Sequence, residues 1–138
     1  MNLTSLLTDN ISEILIKIIE FTQARQKILA QNITNLHTPG FVPQKLEVDE
    51  FSDLLNNAID EHIRTQRLVF RDTENIKFTF NSGFMVKPVA DEISKGLLEE
   101  NRDEYIELQT NKLLENSLNQ KVAAELLRQK QEAISSNY

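Results

Sequence analysis

The sequence predicts a mainly α protein. Its long antiparallel N- and C-terminal helices form a coiled-coil-like hairpin, with a small mixed α/β insertion comprising a short helix and a β-hairpin. Three observations lead there. Leu7, Ile11, Ile14, Ile18, Phe21, Arg25, Ile28, Asn32 and Asn35 alternate spacings of four and three. That pattern averages about 3.5 residues per turn, the period of a helix lying along a partner helix. A second set of apolar positions, Ile106, Leu113, Leu114, Leu118, Ala123, Ala124, Leu127 and Ile134, marks another long helix at the opposite end. Between them, Ile76, Phe78 and Phe80 alternate with Lys77, Thr79 and Asn81, and the period drops to the two of a strand.

The first helix is expected from Thr4 to Leu36, at 1.5 Å per residue about 50 Å long. A second row, Leu15, Ile19, Leu29, Ile33 and Leu36, lies beside the first, so the apolar face can touch more than one neighbour. Pro39 pushes Thr38 out of helical space, and Pro39-Gly40 fits the centre of a type II turn. Residues 1–40 thus form one segment.

Residues 41–100 form the insertion. Phe41 to Val48 reads as extended and leads to Asp49, an N-cap candidate. Phe51, Leu54, Leu55, Ala58, Ile59 and Ile63 then mark a shorter amphipathic helix. Asn81-Ser82-Gly83 supplies turn chemistry before Phe84-Met85-Val86, giving a hairpin that Pro88 ends. Val89 to Glu100 reads as loop or marginal helix, rich in acid. In residues 101–138 the last helix starts near Asn101, where Asn101 and Glu104 fit a capping box, and runs to about Ser135. Its four-three row also holds Thr110, Ser117, Gln120 and Gln131, so this second seam is mixed. The whole of 1–138 reads as a single domain.

Composition narrows the function. Only three Gly and three Pro favour helix. A net charge of −6 with pI near 5.0 argues against nucleic acid, which needs clustered Lys and Arg. Arg64, Arg67 and Arg71 interrupt the acidity, and their ordinary reading is a solvated helix end. Without cysteine, disulfides, thiolate zinc sites and cysteine nucleophiles are excluded. No cleavable secretory signal is visible, and Glu13, Lys17 and Glu20 interrupt the first apolar stretch, so it is not a direct membrane span. His37 and His62 lack neighbours at metal-ligand spacing, and no Gly-rich phosphate loop exists. No catalytic, cofactor-binding or metal residue is expected, and an enzyme is disfavoured.

The polar seam positions carry more. An amide on a packing seam costs stability unless it finds partners, and its benefit is register and partner choice. Asn32 and Asn35 sit within Ala24-Arg25-Gln26-Lys27-Ile28-Leu29-Ala30-Gln31-Asn32-Ile33-Thr34-Asn35-Leu36-His37-Thr38-Pro39-Gly40-Phe41. This run resembles the signature of the rod and hook family, the axial proteins of the bacterial flagellum. Arg25, Leu29, Ala30, Asn32, Ile33, Asn35, Thr38, Pro39, Gly40 and Phe41 match it in order. Within that family, Asp49-Glu50-Phe51 and Leu113-Leu114-Glu115-Asn116-Ser117-Leu118 resemble the FlgB-type basal-body rod proteins. Gln120 stands where an aromatic is common, and Glu100-Asn101-Arg102 replaces the usual Asp-Gly-Asn turn.

The resemblance implies a structural subunit of the proximal rod, located in the periplasmic part of the flagellar basal body and transmitting torque by helix packing. It implies delivery by the flagellar type III export apparatus, without a cleavable signal peptide. The implied partners are other rod proteins, the basal-body ring adaptor and further copies of the chain in a homo-oligomer. No cofactor is implied. The expected assembly interface comprises Leu7, Ile11, Ile14, Ile18, Phe21, Arg25, Ile28, Leu29, Asn32, Ile33, Asn35, Thr38, Pro39, Gly40, Phe41, Leu113, Asn116, Leu118 and Leu127. Asn32, Asn35 and the Thr-Pro-Gly turn would form an intersubunit corner. The alternatives are a soluble helical adaptor or export chaperone, which forms a defined dimer, and a neighbouring short rod protein of the same family. Residues 55–95 receive no clear support from the resemblance.

Overall fold

A computed structural model describes residues 3–79 and 83–136. Among the described residues the chain is mainly helical, with four helices and two small antiparallel sheets. The side chains of Leu7 and Ile134, and the residues Phe80, Asn81 and Ser82, lie outside what is described.

Helix α1 runs Leu3–Thr34, and the chain then tightens through turns, with the Thr38 N–H donating to Asn35 O at 2.9 Å. The expected type II turn is present. Phe41 N–H donates to Thr38 O at 3.1 Å, and Gly40 has φ 75°, the left-handed value that only glycine adopts without strain. A Cβ placed at Gly40 meets nothing within 4 Å. Gly40→Val is therefore expected to lose about 1–2 kcal/mol from backbone strain alone, readable as a lower urea midpoint with an unchanged slope. No loss would mean that the turn had rearranged at no cost.

Strand β1, Gln44–Lys45, pairs with β4, Val89–Ala90, in the register Gln44↔Ala90 and Lys45↔Val89. This short ladder draws together the two ends of the insertion. Helix α2, Val48–Thr65, buries Phe51, Leu54, Leu55 and Ala58. Its N-cap is Glu47, which makes no side-chain cap bond, and Asp49 lies in the first turn instead. There a carboxylate still favours the helix dipole. Leu46 beside the cap is buried and anchors the entry through the apolar core. Strands β2, Ile76–Thr79, and β3, Gly83–Val86, form the expected hairpin, with Phe78 opposite Phe84.

Residues 92–100 correct the expectation of loop or marginal helix. They form helix α3, Glu92–Glu100, capped by Asp91, whose carboxylate accepts from Ser94 N–H at 3.1 Å. The cap and the burial of Ser94 outweigh the weak propensity of Gly96. Helix α4, Arg102–Ser136, follows a one-residue break at Asn101, whose φ is −151°. As anticipated, Asn101 caps it, its Oδ1 accepting from Glu104 N–H at 3.2 Å.

Helices α1 and α4 pack against one another in opposite directions. Asn32 meets Tyr105 and Gln109, whereas Thr22 and Gln26 meet Asn116. The inward row of α4 is only partly the expected one, since Leu113, Gln120, Ala123 and Leu127 are buried or half-buried as expected but other positions are not. Tyr105, Gln109, Asn116 and Ala123 are buried, and Lys112, Leu127 and Lys130 half-buried, while Ile106, Thr110, Leu114, Ser117, Leu118, Ala124 and Gln131 are exposed. The seam is rotated by about one residue, about 100° around the helix. Hydrophobicity misplaced it because polar residues with partners occupy the contact.

The apolar core lies where α1 meets α2 and the β2–β3 hairpin. Phe21, Leu46, Phe51, Leu54, Leu55 and Ile76 form its buried centre. Phe21 and Phe51 stack with centroids 4.1 Å apart, and Phe84 meets Phe51 at 5.8 Å edge-on. Helix α1 therefore serves two neighbours, as its wide apolar face suggests: α4 through Thr22, Gln26 and Asn32, and α2 with the hairpin through Phe21.

Candidate functional site: a buried polar spine and an open groove

Asn32 is the hinge of a chain of buried polar groups. It is 1% exposed. Its Nδ2 donates to Gln44 O at 2.8 Å and to Gln109 Oε1 at 3.0 Å, and its Oδ1 accepts from Gln44 N–H at 3.0 Å. The amide thus reads both backbone groups of one residue, as a neighbouring strand would. That fixes its orientation, since the oxygen must face the Gln44 N–H. Tyr105 donates its hydroxyl to Asn32 O at 2.6 Å. Gln109 Nε2 donates to Ser94 Oγ at 2.8 Å, and Ser94 donates to Asp91 Oδ2 at 2.7 Å. Lys112 Nζ reaches the same oxygen at 3.3 Å, and Asp91 N–H donates to Pro43 O at 2.9 Å.

One connected set of bonds therefore ties α1, the 43–45 segment, the start of α3 and α4. Farther along, Asn116 Nδ2 donates to Thr22 O at 2.7 Å and to Gln26 Oε1 at 3.3 Å. Satisfied networks of this kind select one packing, because any slip strands buried polar groups.

Burial pushes the Tyr105 hydroxyl up to about 12, and the nearby Asp91 charge acts the same way. Burial also raises Asp91, but the bonds from Ser94 and the attraction of Lys112 outweigh it, leaving the carboxyl below its ordinary value. A carboxyl depressed on folding contributes stability above its unfolded pKa, about 3.9, and loses it as pH falls through the folded value. Asp91→Asn is thus expected to flatten the fall in unfolding free energy below pH 4 while lowering stability at pH 7. Parallel pH–stability curves for the two proteins would contradict this.

The expected interface residues divide into distinct environments. Phe21, Leu29, Asn32 and Asn116 are buried inside the chain, and Ile14, Ile18, Arg25, Ile28, Ile33, Asn35, Phe41, Leu113 and Leu127 are half-buried. Ile11, Thr38, Pro39, Gly40 and Leu118 are exposed. The side chain of Asn32 is wholly engaged within its own chain, where it holds the segment after the turn rather than facing outward. Asn35 Nδ2 bonds locally to Gln31 O at 3.0 Å, and its Oδ1 accepts from the Thr38 hydroxyl at 3.2 Å. Arg71 forks onto Glu61 at 3.1 and 3.2 Å, while Arg64 and Arg67 are solvent-exposed.

Tyr105, Gln109, Ser94 and Asp91 escaped sequence reasoning. Asp91 with Ser94 three residues on is the one pair with a readable signal, an N-cap spacing.

Arg25 is half-buried and makes no hydrogen bond or ion pair among the described residues. Burial lowers its pKa, with the charge of Glu115 opposing. Arg25 stands at one end of a groove of about 370 Å³ walled by α1, α2 and α4. The floor includes Leu15, Phe21, Phe51 and Ala123. Among the described residues, no cluster of three or more His, Asp or Glu is placed to hold a metal ion, and no helix is long and apolar enough to cross a membrane.

Compared with known proteins, the chain matches no protein-family model, no curated protein and no solved structure.

Proposed function

We propose that this chain is a structural, non-enzymatic subunit of the bacterial flagellar basal-body rod, of the FlgB type. The observation that carries the reading is the signature from Arg25 to Phe41 at fixed spacing. Its parts have coherent physical roles here: Asn32 clamps Gln44, Gly40 supplies the left-handed turn, and Leu29 packs inside. Such a corner sets the direction in which the insertion leaves the helix pair. In an axial assembly, that direction decides where each subunit's insertion meets its neighbours.

In this reading α1 and α4 work as a coiled-coil-like hairpin. Apolar ridges resist shear, and polar bonds fix register, so torque passes through packing rather than through a flexible link. The chain is carried by the flagellar type III export apparatus and assembles in the periplasmic rod beside the ring adaptor and other rod proteins. The test is mass spectrometry of detergent-purified hook–basal bodies from the source organism. The chain is expected in stoichiometric amount. Its absence there, with a defined soluble dimer in the cytoplasm, would overturn the reading in favour of an adaptor or export chaperone.

A further inference from the structure

The two outer edges of the β2–β3 hairpin are treated differently. Lys87 N–H donates to Asn75 O at 2.7 Å. With Ile76 opposite Val86 and Phe78 opposite Phe84, alternation along the ladder turns the backbone groups of those four residues outward. On the β2 side they find partners. Ile76 O accepts from Thr73 N–H at 2.8 Å, and Phe78 N–H donates to Asp72 Oδ1 at 2.6 Å. The outer edge of β1 is occupied too, because the Asn32 amide takes both backbone groups of Gln44. On the β3 side, the outward N–H and C=O groups of Phe84 and Val86 meet no partner among the described residues. An edge left open in this way is a template for another strand.

A groove of about 450 Å³ runs beside that edge. Phe84, Val86 and Pro88 wall it on one side and α1 on the other, from Glu20 to Ile28. Over that span α1 rises about 12 Å, the length of about four extended residues. Ala24, Ile28 and Leu46 give the lining an apolar part. Its two charges are not equivalent. Glu20 is held by Lys17 at 3.2 Å, whereas Lys27 is exposed and makes no ion pair among the described residues.

We infer that this groove takes an extended, acidic segment of a partner protein, added as a third strand on the Phe84–Val86 edge of the hairpin. Outward donors and acceptors on alternate residues are matched by an extended backbone. A helix satisfies its own backbone groups and cannot supply those bonds. Side chains of an added strand alternate between faces, so its apolar residues meet Ala24, Ile28 and Leu46. An acidic side chain pairs with Lys27, where a basic one would face an unbalanced cation. This inference is independent of the basal-body reading.

The test is a titration of the full chain, to about 2 mM, with a synthetic peptide of alternating valine and threonine ending in aspartates. NMR hydrogen exchange follows each backbone amide. Phe84 and Val86 N–H are expected to gain about tenfold protection at saturation, while Met85, already paired with Lys77, changes little. N-methylation of either the valines or the threonines keeps the peptide's side chains. One of the two patterns should weaken binding about tenfold or more, and the other should spare it. Lys27→Glu, at an exposed position, should weaken the aspartate peptide about threefold or more and favour the same peptide ending in lysines. No change at Phe84 and Val86, or binding indifferent to both methylation patterns, would overturn the added strand. Equal binding of the aspartate and lysine peptides would overturn its acidic character. Protection of the two amides that rises with concentration of the chain alone would give the edge to a second copy and overturn the partner.

Discussion

Replacing Asn32 by alanine is expected to remove about 3 kcal/mol of folding stability, a large effect for a side chain with no apolar surface to lose. The reason lies in what remains. Gln44 loses the partners of both its N–H and its C=O, and Gln109 Oε1 loses its donor. Gln109 is fully buried, so water cannot replace that bond. The Gln44 backbone is nearer solvent and recovers part of its loss, which keeps the total below the sum of three orphaned groups.

Asn32→Asp separates hydrogen bonding from volume. It retains the acceptor for Gln44 N–H but turns an oxygen toward Gln44 O and Gln109 Oε1. At neutral pH it should be at least as destabilising as alanine, with partial recovery in acid, where a protonated carboxyl can donate. Hydrogen exchange at Asp91 N–H, which reports the closure of the insertion, should accelerate in both variants. Unfolding free energies within about 0.5 kcal/mol of the parent would show that the network contributes no net stability.

Legibility from sequence followed the physics of each element. Helices α1 and α4 were plain because periodicity over many turns averages out single residues, and the type II turn was plain because Pro39-Gly40 has few alternatives. The β1–β4 ladder was invisible, since two residues have no period and their pairing depends on an amide contributed by α1. The rotated seam of α4 is the instructive failure. Ranking positions by hydrophobicity placed Ile106 and Leu118 inward, yet Gln109 and Asn116 occupy the contact because α1 offers them Asn32, Thr22 and Gln26. A buried polar seam on one helix requires a polar complement on its partner. Arg25 belongs to the seam in sequence, but its half-burial beside Glu115 is visible only in three dimensions.

Phe51→Ala is expected to have the largest effect of any single change, about 4 kcal/mol, because it removes a buried aromatic from a rigid stack. Phe51 is 5% exposed, stacks on Phe21 nearly parallel at 4°, and supports Phe84 from α2. Phe84 also meets Phe21 edge-on at 6.5 Å, so the three rings together join the hairpin to α1. The loss should also be uneven. The polar spine does not involve Phe51, so Asn32, Gln109 and Ser94 keep their bonds when the aromatic core is opened. Native-state hydrogen exchange should then show α2 and the β2–β3 hairpin opening at lower free energy, while the α1–α4 contact around Asn32 and Tyr105 retains most of its protection. Uniform loss of protection across the chain would mean that spine and aromatic core form one cooperative unit. The uneven result would mark the helix pair as a frame that stays shut while the insertion moves, the division of labour expected of a subunit that must hold a fixed register and still adapt to different neighbours.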